Sequence, residues 1–242
     1  RVVTQQAIRS VDRLVTVSAE LRERTLALET PQRDVKIIPN GVDLQQFAPR
    51  DKGLCRTALG LPQDKRVIVY ASRLAKAKGL SFLLAAFKSV IDQESACLLT
   101  LVGDGHYRQP LVQEITEMGL QDRVIFAGRR PHAEVAKWMS AADLVVLPSL
   151  TEGSPLPVYE ALACGRPIVA SRIGGIPEII TSDDYGLLVP PADPEALAEA
   201  LLCGLHKEWN SQQIRAYSTD YSWESVADQL VNLYGELLDG RA

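Results

Sequence analysis

Eight short runs of mostly β-branched and apolar residues punctuate the chain, and stretches with helical periodicity fill the gaps between them. The runs are Leu14–Ser18, Val35–Pro39, Val67–Ala71, Leu98–Val102, Val124–Ala127, Leu144–Leu147, Ile168–Ser171 and Leu187–Val189. Most are apolar throughout rather than alternating, as expected for strands covered on both faces. The intervening helical candidates lie near 19–28, 54–59, 79–92, 108–119, 133–141, 156–163, 176–180 and 194–205. A last helix is expected from Trp223 to Leu238, with Ser222 as its cap. Strands alternating with helices predict an α/β fold with a Rossmann-like, doubly wound parallel sheet. In such a sheet ligands bind at the carboxyl ends of the strands, where loops lead into helices.

The 242 residues suffice for one large α/β domain or one and a half small ones. With 46% hydrophobic and 23% charged residues, the composition is that of an ordinary globular protein. The net charge of -4 is spread without a basic block, so no nucleic-acid partner is expected. A pocket on an acidic protein can still be locally positive and take an anion. Cys55, Cys97, Cys164 and Cys203 form no CxxC pair and read as reduced, buried thiols, consistent with a cytoplasmic chain. His106, His132 and His206 show no metal-ligand spacing, so no metal site is expected. No apolar stretch approaches the ~20 residues that span a bilayer. The chain begins with Arg1, and its first residues read like the middle of a helix, as in a piece of a longer protein.

One internal boundary stands out. Pro39-Asn40-Gly41-Val42-Asp43 is a turn signal, and a polar stretch, 44–53, follows it. Ahead of it lie a strand-helix unit and a further strand, and behind it a complete Rossmann-like domain. The expected division is 1–40, 41–221 and a C-terminal helical segment, 222–242.

Three strand ends carry unusual residues. After strand 67–71 comes Ser72-Arg73-Leu74-Ala75-Lys76-Ala77-Lys78-Gly79, with Arg73 and Lys78 five residues apart. Two cations at a strand end and helix start form either an anion site or a solvated basic loop. After strand 98–102 comes Gly103-Asp104-Gly105-His106, either a tight turn or a place where backbone approaches a ligand. After strand 144–147 comes the segment TEGSPLPVYEALACGRP, residues 151–167. Pro157 suits the first turn of a helix, Gly165 its end, and Pro167 blocks continuation. Glu152 then lies in the loop and Glu160 near the first helical turn, with the N–H groups of residues 153–156 expected to face outward between them. Such a place suits a phosphate near the backbone and hydroxyls near the carboxylates. A surface Glu152 and a first-turn Glu160 of purely electrostatic value are the alternative.

In its setting, EGSPLPVYEALACGRPIVASRIGGIPEII, the Glu152/Glu160 pair resembles the signature of retaining GT-B glycosyltransferases, family 4 in particular. Further likenesses follow in the family's order: VDRLVTVS (11–18), IIPNGVD (37–43), SRLAKAKG (72–79), LVGDG (101–105), VIFAGRRPHAEV (124–135), AADLVVLPS (141–149) and SWESVADQLVNLY (222–234). Together they cover almost the whole chain.

The resemblance implies one half of a GT-B fold. Residues 1–40 would be a remnant of the N-terminal acceptor domain and linker, with the 1–30 segment covering apolar surface. Residues 41–221 would be the nucleotide-sugar-binding domain, and 222–242 a helix packing back towards the first domain. Arg73 and Lys78 would contact the donor's diphosphate and stabilise it as leaving group. Glu152 would meet the donor sugar's hydroxyls, and Glu160 the two ribose hydroxyls. Gly153, Ser154, Pro155 and Leu156 would line the sugar and phosphate subsites. Gly103, Asp104 and the Arg130 region would border the base. No cofactor is implied beyond a UDP-, GDP- or ADP-linked sugar as co-substrate, and no DxD-type metal site is present. The acceptor, a sugar, lipid or small molecule, would be held by the first domain, through which peripheral membrane association is also expected. The chain by itself is expected to turn over little or nothing. A GT-B-fold epimerase and a non-catalytic sugar-nucleotide-binding module are the competing readings.

Overall fold

The computed structural model describes residues 10–28 and 34–239, together with Gln6 and Ile8. The helix expected at the very start, and the parts of the 1–30 segment at 1–5, 7, 9, 29 and 30, lie outside the described residues.

The chain opens with β1 (Leu14–Thr16), α1 (Ala19–Leu26) and β2 (Val35–Ile37). These two strands pair in parallel as a separate two-stranded sheet, Leu14 facing Val35 and Thr16 facing Ile37. The main body follows as α2 (Lys52–Leu59), β3 (Arg66–Ala71), α3 (Leu80–Gln93), β4 (Cys97–Val102), α4 (Arg108–Glu117) and β5 (Val124–Gly128). It continues through α5 (His132–Ala141), β6 (Leu144–Leu147), α6 (Leu156–Ala163), β7 (Ile168–Ser171), α7 (Ile176–Ile179) and β8 (Gly186–Val189). The chain then runs through α8 (Pro194–His206), α9 (Ser211–Tyr217) and α10 (Trp223–Asp239).

The six main strands are parallel and ordered β5-β4-β3-β6-β7-β8. The chain winds outward from β3 to β5, returns to the middle, and winds outward again from β6 to β8. The reversal falls between β3 and β6, paired through Ile68↔Leu144 and Val69↔Val145. Loops leaving β3 and β6 diverge there and open the crevice at which doubly wound sheets bind ligands. Every residue of β4, β6 and β7 is buried, and every residue of β3 but Arg66. This two-sided cover explains why the runs are apolar throughout, each fully buried Val, Leu or Ile contributing roughly 1.5–3 kcal/mol. One helical layer holds α3 against α4 and α8, and the other holds α2, α5, α6 and α9.

The expected strands and helices are all present, with ends shifted by at most two residues. Unanticipated are α9 and two short 3-10 turns, Lys76–Lys78 and Ser218–Tyr221. The segment SQQIRAY buries only Ile214, so it carries no apolar periodicity, and Asn210 starts it by accepting from Gln213 N. Among the thiols, Cys55, Cys97 and Cys164 are buried as expected, whereas Cys203 is exposed on α8.

At the amino edge of the sheet Asp143, just before β6, holds the frame together. Its Oδ2 accepts from Arg56 Nη2 at 2.6 Å and from Val67 N at 2.7 Å, and its Oδ1 accepts from Lys52 Nζ at 2.8 Å. Burial opposes ionisation of Asp143, but the Lys52 and Val67 hydrogen bonds and the Arg56 charge hold its carboxyl below the ordinary value.

The first strand-helix unit is fastened to the main body at α7. Glu178 accepts from Ala19 N through both carboxylate oxygens, at 2.9 and 3.0 Å, where the α1 N-terminus favours negative charge. The last helix, α10, starts at Ser222, whose Oγ accepts from Ser225 N at 3.0 Å. It packs Val226, Leu230 and Leu233 on Ile38, beyond β2. No helix among the described residues is long and apolar enough to cross a membrane.

Candidate functional site

The loops leaving β3, β4 and β6 interlock at the carboxyl edge of the sheet. Tyr70 Oη donates to Arg73 O at 2.8 Å, and Leu74 N donates to Asp104 O at 3.0 Å, tying the first loop to itself and to the second. Gly103 has φ +145°, and a Cβ there would stand 2.0 Å from Ser72 O, so only glycine permits this approach. At Gly79, with φ +67°, a Cβ would stand 1.9 Å from Pro148 O, which locks the β3 loop against the β6 loop. Leu150 N completes that contact by donating to Ala77 O at 2.8 Å.

Arg73, Gly103, Asp104, Gly105 and, from the loop after β5, Arg129 line an open cleft of about 500 Å³. Arg73 is exposed, and neither its guanidinium nor that of Arg129 meets an acceptor among the described residues. Two uncompensated guanidinium groups beside glycine backbone are suited to a polyanion.

Glu152 sits in the β6 loop, its side chain largely buried. Its Oε1 accepts from Lys78 Nζ at 2.5 Å and from Ser149 Oγ at 2.7 Å. The resemblance assigns Lys78 to a diphosphate and Glu152 to a sugar; the structure brings the two side chains together as one ion pair. Glu152 also lines a second cleft, of about 360 Å³, together with Thr151, Arg172 and Arg24.

The segment between the glutamates faces outward only in part. Ser154 and Pro155 are buried, because Asn40 Nδ2 donates to Ser154 O at 2.7 Å and Ser154 Oγ bonds Tyr159 Oη at 2.7 Å. Gly153 O is taken by Gly175 N at 2.6 Å. The N–H groups of Gly153, Ser154 and Leu156 meet no acceptor among the described residues, and Leu156 itself is exposed. Pro157 stands in the first turn of α6. Past its end, Gly165 N donates to Leu162 O and Arg166 N to Ala161 O, closing the helix with the glycine in left-handed conformation.

Glu160 lies on the second turn of α6 and is 5% exposed. Its Oε1 meets His132 Nε2 at 2.5 Å. Burial pushes its carboxyl above the ordinary value, with His132 opposing that shift. Glu160, His132, Leu156, Gly103 and Arg129 share a third cleft of about 260 Å³, continuous in lining with the Arg73 cleft.

Two residues of this site escape a reading of the sequence. His132, the first residue of α5, reads in isolation as a lone histidine; its position in RRPH directly after β5, on the same edge of the sheet, is the available signal. Arg129 is the other, since the resemblance points to its neighbour, Arg130. Arg130 borders the cleft, but its Nε donates to Ala127 O at 2.9 Å and its Nη1 lies 3.8 Å from Glu134, leaving Arg129 as the one of the two without an acceptor among the described residues. Among the described residues no three His, Cys, Asp or Glu side chains form a group that could hold a metal ion.

A parallel sheet of this order, with cations, glycine turns and two carboxylates gathered at its switch point, defines a Rossmann-like domain of the GT-B glycosyltransferase type. Residues 51–220 match the family model described as glycosyl transferases group 1, and the chain belongs to that family. It is 31% identical over 248 residues to D-inositol 3-phosphate glycosyltransferase 1 of Catenulispora acidiphila, covering 96% of this chain and 59% of that protein. It is 28% identical over 236 residues to the N-acetyl-alpha-D-glucosaminyl L-malate synthase of Bacillus anthracis, covering 96% of this chain and 61% of that protein. Among solved structures it resembles the sucrose-phosphate synthase of Thermosynechococcus elongatus, with a TM-score of 0.85 and 29% identity over 99% of this chain and 61% of the other. It also resembles Anabaena HepE in complex with UDP and glucose, with a TM-score of 0.86 and 26% identity over 97% of this chain and 66% of the other. The chain thus spans about three fifths of the curated relatives it matches.

Proposed function

We propose that this chain is the donor-binding half of a retaining, metal-independent glycosyltransferase of family 4, which takes its sugar from a nucleotide-diphospho-sugar. The observation that carries this is the meeting of Arg73, the Gly103–Gly105 backbone and the Glu152–Glu160 segment around one switch point. Arg73, with Arg129 beside it, holds the diphosphate and stabilises the charge that develops as it departs, the part a divalent ion plays elsewhere. Lys78 supports the same charge while holding Glu152, its ion-pair partner, aimed at the sugar's hydroxyls. Glu160 accepts from the ribose hydroxyls. With retention of configuration, the departing phosphate helps to take up the acceptor's proton on the same face. The acceptor is held by a first domain, and the chain, which is cytoplasmic, by itself binds the donor with little turnover.

The relatives that bind UDP or transfer a glycosyl group support this reading. Calorimetric titration with UDP, GDP and ADP, with and without EDTA, tests it. One diphosphate should bind regardless of EDTA, and Arg73→Ala and Lys78→Ala should each weaken it about tenfold, as expected for a lost charge-assisted hydrogen bond. Unchanged affinity in both variants would remove the phosphate assignment. Brisk sugar transfer by the purified chain would remove the claim that the donor half is insufficient.

A further inference from the structure

The buried carboxylate of Glu160 has one polar partner among the described residues, the imidazole of His132. That imidazole is itself held on two further sides. Gln46 Nε2, on the segment after the Pro39–Asp43 turn, lies 3.0 Å from His132 Nδ1, and the edge of the Phe47 ring meets the imidazole at 4.9 Å between centroids. Nε2 is thus the ring nitrogen that meets Glu160, and Nδ1 the one that Gln46 fixes. A carboxylate offers about four lone-pair positions. His132 takes one, on Oε1, and Glu160 lines the clefts on either side together with His132 and Leu156.

We infer that His132 is a positioning residue, held by Gln46 and Phe47, that orients the Glu160 carboxylate so that its remaining lone pairs meet the two vicinal hydroxyls of a nucleotide's ribose. The inference rests on the donor-site reading above. Glu160 need not release His132 to bind a diol, since one lone pair of Oε1 and both of Oε2 stay free. Without His132, burial alone acts on Glu160, and a protonated carboxyl accepts more weakly and turns one of its oxygens into a donor. The other charged or titratable groups near the pair are Asp43 on the linker, Arg129 and Arg130 after β5, Glu134 on α5 and the Cys164 thiol just past the end of α6. None bonds to Glu160, so none can replace His132.

The test compares UDP with 2′,3′-dideoxy-UDP, with the GDP and ADP pairs alongside, in calorimetry from pH 5 to 9. His132→Ala should weaken the ribonucleotide about tenfold at pH 7 and leave the dideoxynucleotide unchanged. The loss should deepen as pH falls and shrink as pH rises, because Glu160 then titrates unaided. His132→Gln, which keeps an N–H donor and does not titrate, should restore most of the affinity, and Gln46→Ala should give a smaller loss with the same selectivity. Equal weakening of both nucleotides, or retained preference for ribose in His132→Ala, overturns the inference while leaving the donor site standing. Failure of the unaltered chain to bind any of the three ribonucleotides overturns the donor site and the inference together. Should His132→Ala not fold, the ribose preference of His132→Gln and Gln46→Ala decides the same question.

Discussion

Asp143 and Glu160 flank the same strand, β6, one before it and one in the helix after it, and both are buried carboxylates facing basic side chains. They differ in how much of each carboxylate is used. Asp143 has both oxygens engaged, by Lys52, Arg56 and a strand N–H. Arg56 is equally occupied, donating also to Ala141 O, Gln63 O and Lys65 O. Three of the roughly four lone-pair positions of Asp143 are filled and it lines none of the clefts described above, so the cluster acts as a rivet at the amino edge. Among the described residues Glu160 has one bond, to an exposed histidine, and it lines two clefts. A buried charge with spare capacity is expensive to keep unless something else supplies the missing partners. The difference between frame and site thus lies in the count of satisfied lone pairs, not in residue type or burial.

The largest expected break in this comparison is Asp143→Asn. It strands the buried Arg56 charge and should cost about 3–5 kcal/mol in urea unfolding, with nucleotide affinity of the folded protein unchanged. A loss under about 1 kcal/mol would show that Asp143 is no rivet. The matching change at the other edge, Glu160→Gln, removes a carboxylate that burial already disfavours. Stability should move by about 1 kcal/mol or less in either direction, while the preference for ribonucleotides disappears. If Glu160→Gln unfolds the protein as Asp143→Asn does, the two carboxylates have the same task.

The finest distinction is in the sign of their pH dependence. Asp143 has a lowered folded value, so its contribution is complete above the ordinary carboxylate value of 3.8 and drains away as pH falls through the folded value. Glu160 has a raised folded value, so the folded protein takes up its proton before the unfolded chain does. Its contribution therefore becomes more favourable as pH falls from above the raised value towards 4.5, and levels off below. Stability of the unaltered chain minus that of Glu160→Gln should grow on acidification in that upper range, and the corresponding difference for Asp143→Asn should shrink at lower pH. Parallel curves for the two variants would erase the contrast.

Much of this is legible in the chain. The runs at 67–71, 98–102, 144–147 and 168–171 fit only doubly covered strands, because burial on both faces removes the alternation that one wet face imposes. Pro157 and Gly165 mark the two ends of α6 for equally local reasons. Arg73, Gly103, Asp104, Glu152 and Glu160 all stand out through strand ends and resemblance, and the fold gathers them at one edge. Less visible is which of two adjacent arginines is free, since that depends on Arg130 folding back on Ala127 O and Glu134. Likewise the pairing of Lys78 with Glu152 joins residues 74 apart in sequence.

The elements, their class and the loops that had to carry chemistry follow from short-range signals, because apolar periodicity, caps and turn residues act over a few neighbours. Partnerships came only with folding: that His132 stands on Glu160, that Gln46 from beyond the linker steadies His132, and that Asp143 gathers three donors where Glu160 gathers one among the described residues. Those depend on strand order, which places the β5 and β6 loops on one edge, and a linear pattern of residue types carries no record of which lone pairs that edge leaves unfilled.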